Sequence, residues 1–304
     1  MTTAFEKRVK RRVTGRLHSF FAATAPGLEH LCRSELLSLP LSDRQMSVVP
    51  GGVVFSGRLH DCYLANLHLR TANRVLMRIA DFHASGFAGL EKKLSGIDWE
   101  LFLPPGGTFR VSVASSKSRL YHRGAVAQRV QDSISARMGA ANEAPGSVSR
   151  IFVRAESDRF TVSLDSSGDL LHKRGIKARC GKAPSRETLA SAVLKIAGYR
   201  PGRFLADPMC GSGTFSLEAA MISRNMPPGW FRDFAFMQWP AFSPGRWRHL
   251  RREVEAGVTP PGSPCVFASD LREPSVRLLE SGLSAFGLSD AVITACLDFM
   301  DLTP

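Results

Sequence analysis

No apolar run in the 304 residues approaches the ~20 needed to cross a bilayer. The basic N-terminus, MTTAFEKRVKRRVTGR, is followed by neither an apolar core nor a small-residue cleavage site, which argues against a secretory signal. Six cysteines, at 32, 62, 180, 210, 265 and 296, never take a Cys-x-x-Cys spacing, and the eight histidines are dispersed. A zinc ribbon, a disulfide scaffold and a metal site are therefore not expected, and the thiols read as those of a reducing, cytoplasmic compartment. Internal repeats and low-complexity tracts are also missing. What is present is a globular composition, 44% apolar and 22% charged, with enough chain for two or three domains.

Charge is uneven along the chain. Residues 1–203 carry 32 basic and 16 acidic residues, whereas 204–304 carry 8 and 11. A basic front joined to a slightly acidic back suggests that the front meets a polyanion, nucleic acid first among them, although a solubilising surplus has the same composition. Lys7, Arg8, Lys10, Arg11, Arg12 and Arg16 form an arm expected to be disordered by itself. A second group accompanies a strand and the helix after it, with Arg119, Arg123 and Arg129 as candidate RNA contacts. A third, in HKRGIKARCGKAPSR, offers Lys173, Arg174 and Lys177 in a linker marked by Gly and Pro.

The front half reads as mixed α and β. HSFFAATAP is a strand ended by Pro26-Gly27, after which Leu28, Leu31, Cys32 and Leu36 recur at helical spacing. Strand VVFSG follows Pro50-Gly51-Gly52, and Leu59, Cys62, Tyr63 and Leu67 fit a second helix. RVLMRIADF is strand-like, and Phe109, Val111 and Val113 alternate as a half-buried strand does. Val126, Val130, Ile134 and Met138 give one apolar face to a helix whose other faces carry Arg123, Arg129 and Arg137. RIFVRAE and RFTVSLD are closing strands.

In the back half, RFLADPMCGSGTFSLEAAMI places a glycine-rich turn between a short apolar strand and a good helix. Gly211 and Gly213 suit a turn that a ligand approaches closely, beside the free N–H groups of a helix start. A P-loop needs a Lys-Ser/Thr pair where Thr214-Phe215 stands, a dinucleotide fingerprint needs glycine where Ser216 stands, and a nucleophile elbow needs glycine where Cys210 stands. What remains is an acid at the strand end, Asp207, which suits the cationic amino group and sulfonium of S-adenosylmethionine. A simple turn is the alternative.

Asp-Pro-Met-Cys-Gly-Ser-Gly-Thr resembles the first motif of class I methyltransferases, in the form found in THUMP-containing RNA guanine-N2-methyltransferases. FAATAPGLEHLCRSEL, GGVVFSG, YLANLHLRTANRVLMRIADF, SLDSSGDLLHKRGIK, APSRETLASAVL and FAFMQWPAF extend that resemblance along nearly the whole chain, to the bacterial enzymes of large-subunit ribosomal RNA. It implies an α/β protein: a basic arm and ferredoxin-like element over 1–65, a THUMP RNA-binding domain over 66–167, a basic linker over 168–184, and the first part of a Rossmann-like domain over 185–304. It implies S-adenosyl-L-methionine as cofactor, held at the methionine end by Asp207, Pro208, Cys210, Gly211, Ser212 and Gly213. Asp270 would accept from the ribose hydroxyls and Asp298 from the adenine amine, each following an apolar strand. Ribosomal RNA is the implied partner and the N2 amine of a guanine the implied methyl acceptor.

Two departures accompany the resemblance. Asp207 and Asp270 are 63 residues apart, against ~20 in a simple dinucleotide fold. The excess is NMPPGWFRDFAFMQWPAFSPGRW, whose aromatics either support a base or pack on the sheet. The family's Asn/Asp-Pro-Pro-Tyr/Phe motif is missing, so no catalytic residue is named and a fragment of a longer enzyme is expected. A noncatalytic RNA-binding scaffold and a methyltransferase acting on another amine are the competing readings.

Overall fold

The computed structural model describes residues 3–139, 148–175, 185–260 and 262–302. Strand β1 (His18–Thr24) buries Phe20, Ala22 and Thr24 on one side, as the alternation requires. It pairs antiparallel with β3 (Gly52–Gly57) and β4 (Ala72–His83). β2 (Met46–Val49) lies beyond β3, while β7 (Arg159–Asp165), β6 (Ser149–Glu156) and β5 (Phe109–Ser116) lie beyond β4. The result is one seven-stranded sheet, β2-β3-β1-β4-β7-β6-β5, with a single parallel pair, β5–β6.

Helices α2 (Glu29–Ser38), α3 (Leu59–His68), α4 (Phe87–Ser95) and α5 (Arg123–Met138) share one core with Phe20, Phe55, Met77, Val153 and Val162 of the strands. The basic arm, expected to be disordered by itself, is ordered here by docking. It forms α1 (Ala4–Val9) and a π-helical turn at Lys10–Thr14, burying Val9 and Val13. Arg8 and Arg12 pair with Asp98, and Arg8 also with Glu100, the carboxylates that hold Arg137 of α5. A few apolar contacts and shared ion pairs thus order a segment that lacks a core of its own.

The back half is an α/β layer. β8 (Leu205–Asp207), β9 (Val266–Asp270) and β10 (Val292–Cys296) run parallel in the order β10-β9-β8. Helices α6 (Glu187–Ile196), α7 (Thr214–Ser223) and α9 (Glu273–Phe286) contribute Leu194, Ala219, Met221, Leu279 and Leu283 to the second core. Among the described residues no helix is long and apolar enough to cross a membrane.

The long insertion before β9 is divided: Met226, Trp230 and Phe231 pack in the second core, while Phe234 onward, including α8 (Pro244–Ala256), packs in the front core. Phe236 stacks on Tyr63 of α3 at 4.4 Å, and Trp247 meets Phe236 edge-on at 5.4 Å. Its aromatics pack, and they pack on a front helix as well as on one another. Gly229 is where the backbones touch: its N–H donates to Leu67 O at 3.0 Å. A Cβ there would stand 3.0 Å from Leu67 Cα.

A buried polar cluster completes the join. Glu218 of α7, 1% exposed, accepts from Arg174 Nε at 2.7 Å and Arg70 at 3.3 Å, and from Ser191 of α6. Burial works against its charge, yet Arg174 and then Arg70 hold the carboxyl below its usual range. Lys195 of α6 reaches Glu35 of α2 at 2.7 Å.

Candidate functional site

The parallel register brings the strand ends together. Asp207 is opposite Ala268, and Cys296 is opposite Asp270, so Asp207, Asp270 and Asp298 lie along one carboxyl edge of β8, β9 and β10. A crevice outside the carboxyl ends of parallel strands is where such sheets bind ligands. The glycine turn closes one side: Cys210 N–H donates to Ser269 O at 2.9 Å, and Gly211 N–H to Asp270 Oδ2 at 2.9 Å. Ser269 Oγ donates to Pro208 O at 3.3 Å.

The two glycines have different reasons. Gly211 has φ +56° and a Cβ there would meet nothing within 4 Å, so its open side faces free space. Gly213 has φ +79°, but a Cβ there would lie 2.3 Å from Leu279 Cδ1. The absence of a Cβ at Gly213 lets α7 pack on α9. Ser212 is half-buried between them.

Each acid is held differently. Burial pushes the Asp207 carboxyl up, while Ser216 Oγ, donating at 2.6 Å, opposes the rise. Burial also acts on Asp270, but the N–H groups of Arg272, at 2.9 Å, and Gly211 keep its carboxyl below the usual range. Asp270 is thus an ionised carboxylate with one backbone donor on each oxygen and lone pairs left for two hydroxyls. Asp298 Oδ1 accepts from Met300 N–H at 3.0 Å. Burial, then Asp207 and Asp270, pushes the Cys210 thiol up to about 12, which leaves no thiolate for covalent chemistry at neutral pH.

The donor set fits an adenosyl cofactor: two acids flanking an open glycine turn at a helix N-terminus, and a third one strand over. Leu271, Leu297, Phe299 and Met300 are exposed apolar residues next to these acids. The sequence reading missed them; the available signal was an apolar residue directly beside an acid at a strand's carboxyl end.

The candidate RNA contacts do not gather in one place. Arg119 is exposed beside Asp158, and Arg123 is exposed at the start of α5. Arg129 is half-buried, 3.3 Å from Glu91 and over the Phe87 ring at 4.2 Å. Lys173 is exposed near Asp169. Arg174 is 4% exposed and spends its guanidinium on Glu218, Leu171 O, Arg70 O and Ser191, so it is a structural residue and no surface contact. Lys177 lies outside the described residues.

Comparison with known proteins places these features. Residues 19–76 match the RlmL ferredoxin-like domain, 84–165 the THUMP domain, and 174–304 the RMKL-like methyltransferase domain. A putative RNA methyltransferase of Bacillus subtilis, YpsC, is 34% identical over 92% of this chain and 74% of its own length. The chain belongs to the THUMP-containing, RMKL-like methyltransferase family. Its cofactor is S-adenosyl-L-methionine. The ribosomal RNA large subunit methyltransferase K/L of Methylococcus capsulatus is 34% identical over 88% of this chain, which spans 38% of that protein. The crystal structure of SMU.472, a putative methyltransferase complexed with S-adenosylhomocysteine (SAH), superposes with a TM-score of 0.84 at 29% identity, covering 95% of this chain and 78% of that one.

Proposed function

We propose that this methyltransferase transfers a methyl group to the N2 amine of a guanine in large-subunit ribosomal RNA. The observation that carries the cofactor half is the row of Asp207, Asp270 and Asp298 at the carboxyl ends of three paired strands beside the open Gly211 turn. In this reading Asp270 receives the ribose hydroxyls, Asp298 the adenine amine, and Asp207 faces the cationic methionine end across the loop of Pro208, Cys210, Gly211, Ser212 and Gly213. The cofactor supplies an activated methyl group; the chain binds and orients the two substrates and needs no protein nucleophile. The RNA half rests on the THUMP match, the names carried by the relatives and the basic front. A guanine within a helix must be unstacked to reach such a crevice.

Calorimetric titration with SAH tests the site: the chain binds it and Asp270→Ala does not. Nucleoside mass spectrometry of ribosomal RNA from a gene-deletion strain tests the target, and one N2-methylguanosine of the large subunit disappears. Unchanged large-subunit RNA would reject that target while leaving the cofactor site standing.

A further inference from the structure

The face of the seven-stranded sheet opposite its helices carries a depression of about 610 Å³ that no described element covers. Register lines up four of its residues across the sheet. Arg78 is opposite Ser163, Ser163 is opposite Phe152, and Phe152 is opposite Ser112 across β4, β7, β6 and β5. Phe21 of β1 lies two residues from Ser19, the partner of Arg78, and so shares its face, with the Arg78 guanidinium over its ring at 5.7 Å. Two half-buried aromatic rings, Phe21 and Phe152, are therefore presented on an open sheet among small neighbours, Ser112, Ala114, Thr161 and Ser163.

The charge on this face is in excess. Arg154 and Arg159 pair with Glu156 and Asp81 yet remain 60% and 71% exposed. Arg78 forms no salt bridge among the described residues. Burial, with Arg154 and Arg159 nearby and only Asp81 in opposition, holds its guanidinium below its ordinary pKa. Such crowding of like charge is relieved by a polyanion. Aromatic rings on an exposed sheet give unpaired bases a stacking surface, with arginines available to the phosphates, whereas a stacked duplex offers no free base face.

We propose that this open face, centred on Phe152, Phe21 and Arg78, binds an unpaired stretch of RNA. None of these residues was among the sequence candidates. The proposal rests on the RNA methyltransferase reading and adds which face holds RNA and in which state. It makes the face a reader of single-stranded segments, separate from the carboxylates of the methyl-transfer crevice.

Fluorescence anisotropy on the full chain tests it, with a labelled oligouridylate and a duplex RNA of equal length. Phe152→Leu keeps apolar volume and removes the ring; Phe152→Tyr restores a ring. The expected result is an oligouridylate affinity about tenfold weaker for Phe152→Leu and for Arg78→Gln, near wild type for Phe152→Tyr, with duplex binding little changed by the ring variants. Wild-type affinity in Phe152→Leu and Arg78→Gln together, or equal loss on single strand and duplex for Phe152→Leu, would overturn it, as would failure of the wild-type chain to bind oligouridylate. SAH titration of the same proteins is read separately: loss of SAH binding in the wild type fails the methyltransferase site, not this face.

Discussion

At the scale of single residues, the cofactor loop separates side chains by what their backbone neighbours leave them to do. Asp270 has both oxygens anchored by N–H groups and stays ionised, while Cys210, in the same turn, is kept a thiol by burial and by the two acids. Burial and the two acids push the Cys210 thiol up to about 12, so it reacts with iodoacetamide at pH 7.5 more slowly than a free cysteine, by about tenfold or more, measurable by peptide mass spectrometry. Gly213→Ala meets Leu279 and a positive φ together and costs about 1–3 kcal/mol in urea denaturation. Gly211→Ala at φ +56° has open space in front of it, so its loss is confined to backbone strain.

Between elements, stability is concentrated where α7 meets the front half. Glu218 carries two arginines and a serine with almost no water access, and a buried pair broken on one side leaves uncompensated charge. Glu218→Gln therefore lowers unfolding free energy by about 3–5 kcal/mol, checked by urea titration. The docking of α1 follows pH instead. The Arg137 hydrogen bond, with Arg8 behind it, holds the Glu100 carboxyl down at about 2 from an ordinary 4.5. A depressed carboxyl stabilises the folded state above its unfolded pKa, so this contribution is complete above about pH 4.5 and is lost as pH falls toward 2. Hydrogen exchange of residues 4–14 rises over that window, and Glu100→Gln flattens the dependence.

For the molecule as a whole, the two cores are stapled by a segment that belongs in sequence to one half and in packing to the other. Phe234, Phe236 and Trp239 precede β9 but are buried in the core built on the seven-stranded sheet. Residues 1–175 made alone would uncover Tyr63 and the face of α3, and are expected to unfold at lower urea than the full chain. Phe236→Ala costs about 3–5 kcal/mol and destabilises the front sheet although it lies far along the chain. Circular dichroism and tryptophan fluorescence report both effects.

Periodicity was enough to determine the local elements: the alternation of β1, β5, β6 and β7, the apolar stripe of α5, and the strand, glycine turn and helix around Asp207. It did so because burial repeats at 2 or 3.6 residues wherever one face meets a core. β2, with no deep burial, and α4, among charged residues, escaped it. Tertiary structure alone decided the partners. Arg174 looked like another basic linker residue until Glu218, 44 positions away, turned it inward. Gly213 read as part of a loop, and only the fold set Leu279 of α9 against its missing Cβ. The aromatic insertion showed its apolar character in sequence but not that α3 would receive it, and Phe21 and Phe152 came to share an open face only through the pairing of β1, β4, β7 and β6. Composition and spacing state which side of an element avoids water; which other element takes that side depends on contacts far apart in the chain, and those form only when the sheet closes its order.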